Sequence, residues 1–446
     1  MSHGLHDAWL RTVARRGRGR AMVQAADGRE VTFAELDALA TSWLNRLGTA
    51  PRELRGRGVV FAVPNGLRWL EIFLGLLKAG AVAVPMDSAE PPLAQRRLAE
   101  SLRAGFWWSG DRLIPLAGAR RYRGAEISLV KVTSGTTGQP RPLVFTAPQL
   151  LADARQIAST MGIRARDLNY ALIPFGHSYG LGNLALPLIV QGVPVVCASA
   201  ALPAAIEADF VRWRPTVFPG VPPVWRALAG SEVRLDSLRL AISAGAPLPP
   251  EVARDFAARF GRRLHSFYGS SETGGISYDA SGAMTLAGGV GRALRGVKLT
   301  PLGGQRLQVR SAAVFTRDNS KRAGRQGCWV MPDRVRIEAK GALTLLGRRG
   351  RTVKVGGRRL DLGEVEAALK RLAGVRDVWV GVGGRGEPVL GAAVAAERVP
   401  AELRAELLTG HAAWKIPRKL VALAAFPVTA RGKTDTRALQ AMVFGG

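Results

Sequence analysis

An apolar helix that ends at a glycine and runs directly into a short apolar strand occurs twice in this sequence. Residues 69–78 have the apolar content of a buried helix, Ala79-Gly80 supply its cap, and residues 81–85 form the strand. The same order recurs within residues 181–198. Since such units pack helices against strands that run side by side, the sequence predicts an α/β fold with a largely parallel sheet.

The second of these units lies in a stretch, residues 181–206, that contains no charged residue. A membrane-spanning helix needs about 20 consecutive apolar residues, so the length alone is sufficient. Pro187, Pro194 and Pro203 interrupt the stretch, however, and Gln191-Gly192 form a turn signal. The pattern therefore predicts a buried helix followed by a buried strand, and no transmembrane segment.

Composition sets the general class of protein. The chain has 446 residues, 47% hydrophobic and 22% charged, and can therefore bury cores for two or three domains. Two cysteines, Cys197 and Cys328, are too few for a disulfide framework or a zinc site by themselves, as is usual in a reducing compartment. The first 20 residues contain five arginines but no following apolar run, so we expect no secretory signal and a cytoplasmic location.

The formal net charge of +29 arises from 63 Lys and Arg residues against 34 Asp and Glu residues. A nucleic-acid-binding protein typically concentrates such charge in a stripe interleaved with aromatic residues. Here the arginines are scattered, and a dense run such as residues 347–351 is short, so no direct function with nucleic acid is expected. A basic surface favours polyanionic ligands or an acidic protein partner.

Residues 132–141, Val-Thr-Ser-Gly-Thr-Thr-Gly-Gln-Pro-Arg, combine hydroxyl side chains with glycines and end in a cation. They follow the apolar-rich run 127–132, which indicates a strand, so the loop leaves a sheet end with backbone N–H groups and hydroxyls available to phosphate oxygens. The spacing is not that of the Gly-x-x-x-x-Gly-Lys-Ser/Thr loop of many ATPases and GTPases. An ordinary Ser/Thr/Gly turn has similar composition, but a nucleotide triphosphate site is the sharper prediction.

With this loop, five further segments resemble the adenylate-forming (AMP-binding) superfamily, which includes acyl- and aryl-coenzyme A synthetases, luciferases and peptide-synthetase adenylation domains. The six segments follow family order: residues 31–36, residues 76–85, the loop at 132–141, Tyr268-Gly269-Ser270-Ser271-Glu272-Thr273, the hinge region from Gly347-Arg348 to Glu366, and residues 426–433. Six matches in order are not expected by chance.

The resemblance implies a large amino-terminal adenylate-forming domain over residues 1–349, with several α/β subdomains and mostly parallel sheets. A hinge at residues 350–351 and a small, mobile α+β domain over residues 352–446 would follow it. The implied reaction uses ATP and Mg²⁺ to activate a carboxylic acid as an acyl adenylate with release of pyrophosphate. The acyl group then passes to the thiol of coenzyme A or of a carrier protein's phosphopantetheine.

The resemblance also implies roles for individual residues. Lys433 would reach the reacting carboxylate and the α-phosphate, Glu272 would be the Mg²⁺ ligand, and His177 would lie at the gate of the acid-binding site. The nucleotide would be held by Thr133, Ser134, Gly135, Thr136, Thr137, Gly138, Arg141, Gly245, Tyr268, Gly269, Ser271, Asp333 and Arg348. Within this set Tyr268 would lie against adenine and Asp333 would bind the ribose, whereas Gly245 is equally consistent with a simple left-handed turn.

Three departures from the family pattern bear on activity. Arg141 replaces the usual lysine at the end of the phosphate loop, Gly350-Arg351 replace acidic residues at the hinge, and Met331-Pro332 replace Thr-Gly before Asp333. These departures leave open a degenerate, non-catalytic adenylate-binding or basic interaction protein. The presence of Glu272 and Lys433 favours an enzyme.

The substrate class is indicated by residues 175–181, Phe-Gly-His-Ser-Tyr-Gly-Leu. Amino-acid-adenylating domains usually carry an aspartate after the phenylalanine, which pairs with the substrate ammonium, and Gly176 cannot do so. A fatty or aromatic acid is therefore expected, and an amino-acid-adenylating domain is the alternative. The His-Ser-Tyr-Gly order resembles the gate of acyl- and aryl-acid synthetases, including acyl-carrier-protein synthetases. The net charge favours an acidic carrier protein as acceptor, although a general arginine-rich composition explains it equally simply.

Overall fold

The structure is a computed structural model of the chain. It describes residues 4–90, 92–122, 127–134, 140–315, 327–348, 352–355, 358–384, 389–411, 413–429 and 433–445. Two compact units are present, one formed by Met1–Met331 with Val335–Leu345, the other by Pro332–Arg334 with Leu346–Gly446. The predicted hinge, residues 350–351, lies outside the described residues, so the proposed domain limits at 349 and 352 remain a prediction.

The described residues include fourteen α-helical segments. They are α1 (Leu5–Arg16), α2 (Phe33–Asn45), α3 (Pro51–Leu54), α4 (Leu67–Ala79), α5 (Pro92–Ser101), α6 (Ala147–Met161), α7 (Ser178–Gly180), α8 (Leu186–Gln191), α9 (Pro203–Trp213), α10 (Pro222–Ala229), α11 (Pro250–Phe260), α12 (Leu362–Lys370), α13 (Pro400–Gly410) and α14 (Thr436–Phe444). A π-helical turn, Leu181–Ala185, joins α7 to α8. Short 3₁₀ turns occur at Thr285–Ala287, Ala339–Gly341 and Ala413–Lys415.

Twenty-four strands are described. They are β1 (Arg20–Gln24), β2 (Arg29–Thr32), β3 (Gly58–Phe61), β4 (Val82–Pro85), β5 (Phe106–Ser109), β6 (Arg112–Pro115), β7 (Ile127–Ser134), β8 (Pro140–Thr146), β9 (Asn169–Ala171), β10 (Val195–Cys197), β11 (Val217–Gly220), β12 (Leu240–Ser243), β13 (Leu264–Ser270), β14 (Gly274–Tyr278), β15 (Arg292–Ala293), β16 (Lys298–Leu302), β17 (Arg306–Arg310), β18 (Cys328–Ile337), β19 (Leu343–Arg348), β20 (Thr352–Val355), β21 (Arg358–Asp361), β22 (Asp377–Gly383), β23 (Val389–Ala395) and β24 (Lys419–Leu423).

The two large sheets are parallel at their centres. One has the order β6–β5–β3–β4–β7–β8, with parallel pairing from β5 through β7 and antiparallel strands at both edges. The other has the order β15–β14–β13–β12–β11–β9–β10–β1–β2, parallel from β13 to β1. The predicted α/β class with a largely parallel sheet is confirmed.

The helix–glycine–strand units form where the sequence places them. Gly80 caps α4 in the left-handed conformation with φ +65, and Gly192 caps α8 with φ +72. A side chain other than glycine adopts that conformation at a cost, which is why these positions end the helices. Both units run directly into strands that are buried along their whole length, β4 and β10.

The largest hydrophobic core lies between the two sheets. It is formed by the apolar faces of α1, α2, α4, α6 and α8 with residues from both sheets, and its fully buried aromatic side chains include Trp9, Phe33, Phe61, Trp69, Phe73, Phe145 and Phe175. Helix α4 buries nearly every residue, because strands lie on one side of it and helix α2 on another. This central layer holds the two sheets in a fixed position relative to each other, so loops from both can build one site.

The second unit contains its own sheets. Strands β20 and β21 form an antiparallel pair, and β22, β23 and β24 form a three-stranded sheet. Helices α12 and α13 pack on one core there, and α14 covers another, smaller apolar cluster. Helix α12 begins at Leu362, and the carboxylate of its N-cap residue Asp361 accepts the Gly363 N–H at 2.8 Å.

Candidate active site

The candidate site lies where loops leave the carboxyl ends of parallel strands. In the nine-stranded sheet, the loops after β9, β12 and β13 carry His177, Gly245 and Glu272 respectively. In the six-stranded sheet, β4 leads to Asp87, and β7 leads to the phosphate loop. Ligands of open α/β sheets bind at this edge, so the topology brings the predicted residues to one region.

His177 is joined to Asp87 across the two sheets. Its Nε2 lies 2.8 Å from Asp87 Oδ2, with the histidine side chain 28% exposed and the aspartate side chain 8% exposed. The other carboxylate oxygen of Asp87 accepts the Ala89 N–H at 2.9 Å. The imidazole is thus held by a buried carboxylate and still has access to solvent, as a residue that meets a substrate requires.

Two glycines allow the backbone around His177 to pass close to its neighbours. A Cβ atom at Gly176 would lie 2.8 Å from the backbone carbonyl oxygen of Met86. A Cβ at Gly180 would overlap the carbonyl oxygen of Pro174. Both contacts are with backbone atoms, which cannot move aside as a flexible side chain can, so no larger residue fits at either position.

The turn after β13 is tied to the same loop. Ser178 Oγ donates to Ser271 Oγ at 2.9 Å. Glu272 follows directly, and its carbonyl oxygen accepts the Phe315 N–H at 2.9 Å. The predicted residues His177, Ser271 and Glu272 are therefore neighbours in space, although only the last two are close in sequence.

Arg141 lies among aromatic rings. Its guanidinium carbon is 5.7 Å from the centre of the Phe315 ring and 5.3 Å from that of Trp329. The two rings meet edge-to-face, with centroids 5.2 Å apart. Cation–π contact suits the planar, delocalised guanidinium better than an ammonium, which gives a structural reason for arginine at this position.

The loop that Arg141 follows is only partly described. Thr133 and Ser134 form the end of β7 and pair with Arg141 and Pro140 of β8. Gly135, Thr136, Thr137 and Gly138 lie outside the described residues. The predicted strand at 127–132 is confirmed and extends two residues further.

Tyr268, Gly269 and Gly245 line the same edge of the nine-stranded sheet. Tyr268 is in β13 and is 9% exposed. Gly269 faces β14, where a Cβ would lie 2.8 Å from the Gly274 carbonyl oxygen. Gly245 has φ +86, so the left-handed turn considered for it is present. Contact of these residues with a nucleotide stays a prediction.

Three predicted residues, Asp333, Arg348 and Lys433, belong to the second unit. Asp333 lies in β18 and is partly buried, and its neighbour Arg334 forms an ion pair with Asp361 at 3.0 Å. Arg348 is the last residue of β19. Lys433 is exposed, and its carbonyl oxygen accepts the Thr429 N–H at 2.7 Å. Their catalytic and binding roles stay predictions.

Tyr179 is bonded to the carboxyl ends of β11 and β12. Its hydroxyl lies 3.3 Å from the Gly220 carbonyl oxygen and 3.2 Å from that of Ile242. Its ring centre is 5.9 Å from that of Phe267. Burial raises the pKa of Tyr179 well above its ordinary value, so the phenol stays protonated and can donate to these carbonyls.

Mg²⁺ is the metal that the predicted chemistry implies, and Glu272 is the carboxylate available for it. Within the described ranges there is no group of three or more His, Cys, Asp or Glu side chains arranged to hold a metal ion. Mg²⁺ bound with a nucleotide commonly uses only one or two protein carboxylates, together with phosphate oxygens and water. A single partly exposed glutamate therefore fits that ion.

Sequence reasoning missed three charged residues of this region, namely Asp87, Lys131 and Asp153. Lys131 carried a signal, because it is a lysine within the apolar run of β7, on the same strand face as the fully buried Leu129. Asp87 and Asp153 carried none. Their partners lie far away in the chain, and 90 residues separate Asp87 from His177.

Comparison with known proteins agrees with this fold. The AMP-binding enzyme family matches residues 9–106 and 119–306. Benzoate–CoA ligase from Thauera aromatica is 28% identical, over 94% of this chain and 92% of its own length. Tyrocidine synthase 3 from Brevibacillus parabrevis is 25% identical, over 92% of this chain but only 7% of its own length. The crystal structure of the anthranilate CoA ligase AuaEII with anthranoyl-AMP is 21% identical, has a TM-score of 0.80, and covers 99% of this chain and 97% of that one.

The family match, on a fold of two mostly parallel sheets, identifies an adenylate-forming enzyme. The chain belongs to the AMP-binding enzyme family. The predictions of this family, of its fold class and of an AMP-forming acid–thiol ligase are confirmed. ATP and a carboxylic acid are substrates of such a ligase.

The uncharged stretch 181–206 forms part of the core, with its helix and strand inside the first unit. None of the described helices is both long and apolar enough to cross a bilayer. Helix α8 of this stretch is buried against the neighbouring helices α1 and α6, whereas Leu202, near the end of the stretch, is 69% exposed.

Proposed function

We propose that this protein activates a compact aromatic carboxylic acid as its acyl adenylate and transfers the acyl group to coenzyme A. The observation that supports the proposal most is the junction of the two sheets, where His177 is held by Asp87 and Ser178 is bonded to Ser271. At this junction His177, which would bind the acid, lies next to the turn that carries Glu272. An acid and a nucleotide could meet there.

Gly176 argues against an amino-acid substrate. An aspartate at this position, which would pair with the substrate ammonium, needs a Cβ that would lie 2.8 Å from the Met86 carbonyl oxygen. The backbone leaves no room for it. Tyrocidine synthase 3 shares the family with this chain, but this feature favours an acid without an amino group.

Tyr179 favours a compact acid over a long one. Its hydroxyl is anchored to the carbonyls at the ends of β11 and β12, and its ring packs 5.9 Å from Phe267. A long alkyl chain that entered at this edge of the sheet would have to displace a partly buried, hydrogen-bonded ring, whereas a flat aromatic acid could stack beside it. The named benzoate ligase, similar along most of this chain, supports the same choice.

The residues of this chain would act mainly by position and charge. The phosphate loop and Arg141 would hold the triphosphate, Asp333 and Arg348 the ribose, and Lys433 would stabilise charge at the α-phosphate. Glu272 would hold Mg²⁺, which when bound neutralises phosphate charge. His177 would orient the acid carboxylate for attack.

The thiol acceptor is the least constrained part of the proposal. Relatives named as CoA ligases favour coenzyme A. The net charge of +29 favours an acidic carrier protein as a second candidate, because an extended basic surface would accelerate association with it. The two differ in salt dependence, since association with a carrier protein should slow steeply above roughly 0.1 M salt, where the Debye length is about 10 Å.

The test is exchange of labelled pyrophosphate into ATP with benzoate, anthranilate, hexanoate, palmitate, alanine and phenylalanine. We expect exchange with the aromatic acids and little with palmitate or the amino acids. Acyl transfer is then compared between coenzyme A and a purified acidic carrier protein at several salt concentrations. Exchange that depends on an amino acid, or no acid-dependent exchange at all, would refute the proposal.

A further inference from the structure

Lys131 is a buried cation to which the roles above give no function. It lies in β7, two residues before Thr133, and is only 6% exposed. Its Nζ lies 4.4 Å from the centre of the Phe145 ring. The ring gives partial compensation, but an ammonium out of water also needs negative charge nearby.

Asp153 of α6 and Glu272 supply that negative charge. Burial lowers the pKa of Lys131, and the carboxylates of Asp153 and Glu272 oppose this change. Burial raises the pKa of Asp153, which is 4% exposed, and both Lys131 and the Gly275 N–H oppose that change. Ring contacts connect Lys131 and Glu272, because the Phe145 ring that Lys131 faces lies 6.4 Å from the Phe315 ring, and the Phe315 N–H donates to the Glu272 carbonyl oxygen. Lys131 thus lies in the field of two carboxylates, one buried and one at the candidate nucleotide site.

Asp153 also fixes the turn that carries Glu272. Its Oδ1 accepts the Gly275 N–H at 2.9 Å. The preceding Gly274 has φ +69, and a Cβ there would overlap the Asp153 carboxylate. The turn therefore lies directly on this carboxylate, with the Phe315 N–H bonded to Glu272 from the other side.

Stability does not explain this arrangement. Well-packed apolar residues in place of a buried ion pair are often neutral or stabilising, because desolvation of two charges offsets their attraction. In contrast, the arrangement connects the strand before the phosphate loop, helix α6 and the Glu272 turn. Of the three residues only Glu272 is partly exposed, and it is the one assigned to the nucleotide site.

We propose that Lys131 and Asp153 are positioning residues for Glu272, in which Asp153 fixes the backbone of its turn and Lys131 supplies a fixed positive charge to its carboxylate. The inference rests on the proposed function only where it assigns Glu272 to the nucleotide site. The electrostatic coupling between Lys131 and Glu272 is a property of the ligand-free protein.

That coupling is measured by a double-mutant cycle with K131M, E272Q and K131M/E272Q. Urea unfolding of the ligand-free proteins gives the unfolding equilibrium constant for each. We expect K131M to raise the unfolding equilibrium constant less in the E272Q background than in the wild type. The ratio of the two effects should be roughly threefold to tenfold, since Glu272 is partly exposed and its charge partly screened. L129M, on the same face of β7, changes packing without charge and should show no coupling to E272Q.

K131M leaves a buried carboxylate without its cation and could fail to fold. In that case the cycle is repeated in the D153N background, where the introduced side chain is neutral and its amide oxygen can still accept the Gly275 N–H. The coupling between Lys131 and Glu272 should persist there. Absence of the coupling in the background in which all the variants fold overturns the proposal.

A second measurement separates positioning from a purely structural role. The rise in melting temperature with ATP is recorded as Mg²⁺ is increased. K131M makes the site more negative, so the half-saturating Mg²⁺ concentration should fall severalfold, even as adenylation slows. A disrupted fold would raise the half-saturating Mg²⁺ concentration or leave it unchanged, and either result overturns the proposal. If the wild type shows no acid-dependent exchange, the proposed function fails, but the urea cycle still decides this inference.

Discussion

The substitution D87N should impair the orientation of His177 without unfolding the protein. Asp87 has two oxygens in use, Oδ1 with the Ala89 N–H at 2.9 Å and Oδ2 with His177 Nε2 at 2.8 Å. The asparagine amide has only one oxygen. If that oxygen keeps the Ala89 N–H, the NH₂ group faces His177, and the imidazole must move its proton to Nδ1.

The size of the effect follows from the burial of Asp87. With the side chain 8% exposed, water cannot replace the lost partner. A hydrogen bond to a charged group contributes about 1.5–3 kcal/mol, which corresponds to roughly tenfold to a hundredfold in kcat/KM for the acid. KM for ATP should change little, because the acid end of the site is affected.

The assay is benzoate-dependent pyrophosphate exchange, with the melting temperature as a measure of folding. D167N is the matched control. Asp167 is also buried, at 5% side-chain exposure, and forms an ion pair with Arg239. It precedes β9 and therefore lies at the amino ends of the strands, opposite the candidate site. D167N should lose stability without a specific loss of acid activation. D87N should add nothing to H177A if Asp87 acts through His177. Equal effects of D87N and D167N on kcat/KM, or additive effects of D87N and H177A, would refute the reasoning.

Three further outcomes are expected. K433A should slow adenylate formation by about two orders of magnitude and leave transfer from a preformed adenylate largely intact, measured by exchange and by single-turnover thioester formation; equal loss in both steps contradicts the role. Y179A should lower activity with benzoate and raise the octanoate-to-benzoate ratio of kcat/KM roughly tenfold, because removal of the ring makes room for a longer acid. An unchanged ratio would count against Tyr179 as the residue that limits the length of the acid. Burial raises the pKa of Cys197 to about 12, so its thiolate is scarce below that pH, and native protein at pH 8 should be alkylated at the partly exposed Cys328 alone; mass spectrometry that finds modified Cys197 would contradict this.

Much of the fold could be predicted because its signals are local. The glycines after α4 and α8 mark helix ends within a single turn of chain, and the apolar strands that follow need only their own sequence to indicate burial on both faces. The prediction of strand β7 before the phosphate loop rested on the same kind of signal. Parallel sheets follow from such units, since a helix between two strands brings them side by side in one direction.

The candidate site was predictable in part for a different reason. The motif around Tyr268 and Glu272 and the histidine at 177 stand in a recognisable order, so their types were known before their positions. The sequence could not tell which of these motifs carry supporting charges. Asp87 is separated from His177 by 90 residues, and Asp153 from Gly275 by 122 residues.

The sequence by itself determined the class of the protein, two helix–strand units with the strand before the phosphate loop, and the residue types at the site. Only the tertiary structure decided that Asp87 holds His177, that Gly176 leaves no room for a side chain, and that Lys131 is buried in the field of two carboxylates. The physical reason is the distance along the chain over which each kind of interaction acts. Helix caps and strand patterns act over a few neighbouring residues, whereas a buried charge is stable only if packing brings an opposite charge from elsewhere in the chain.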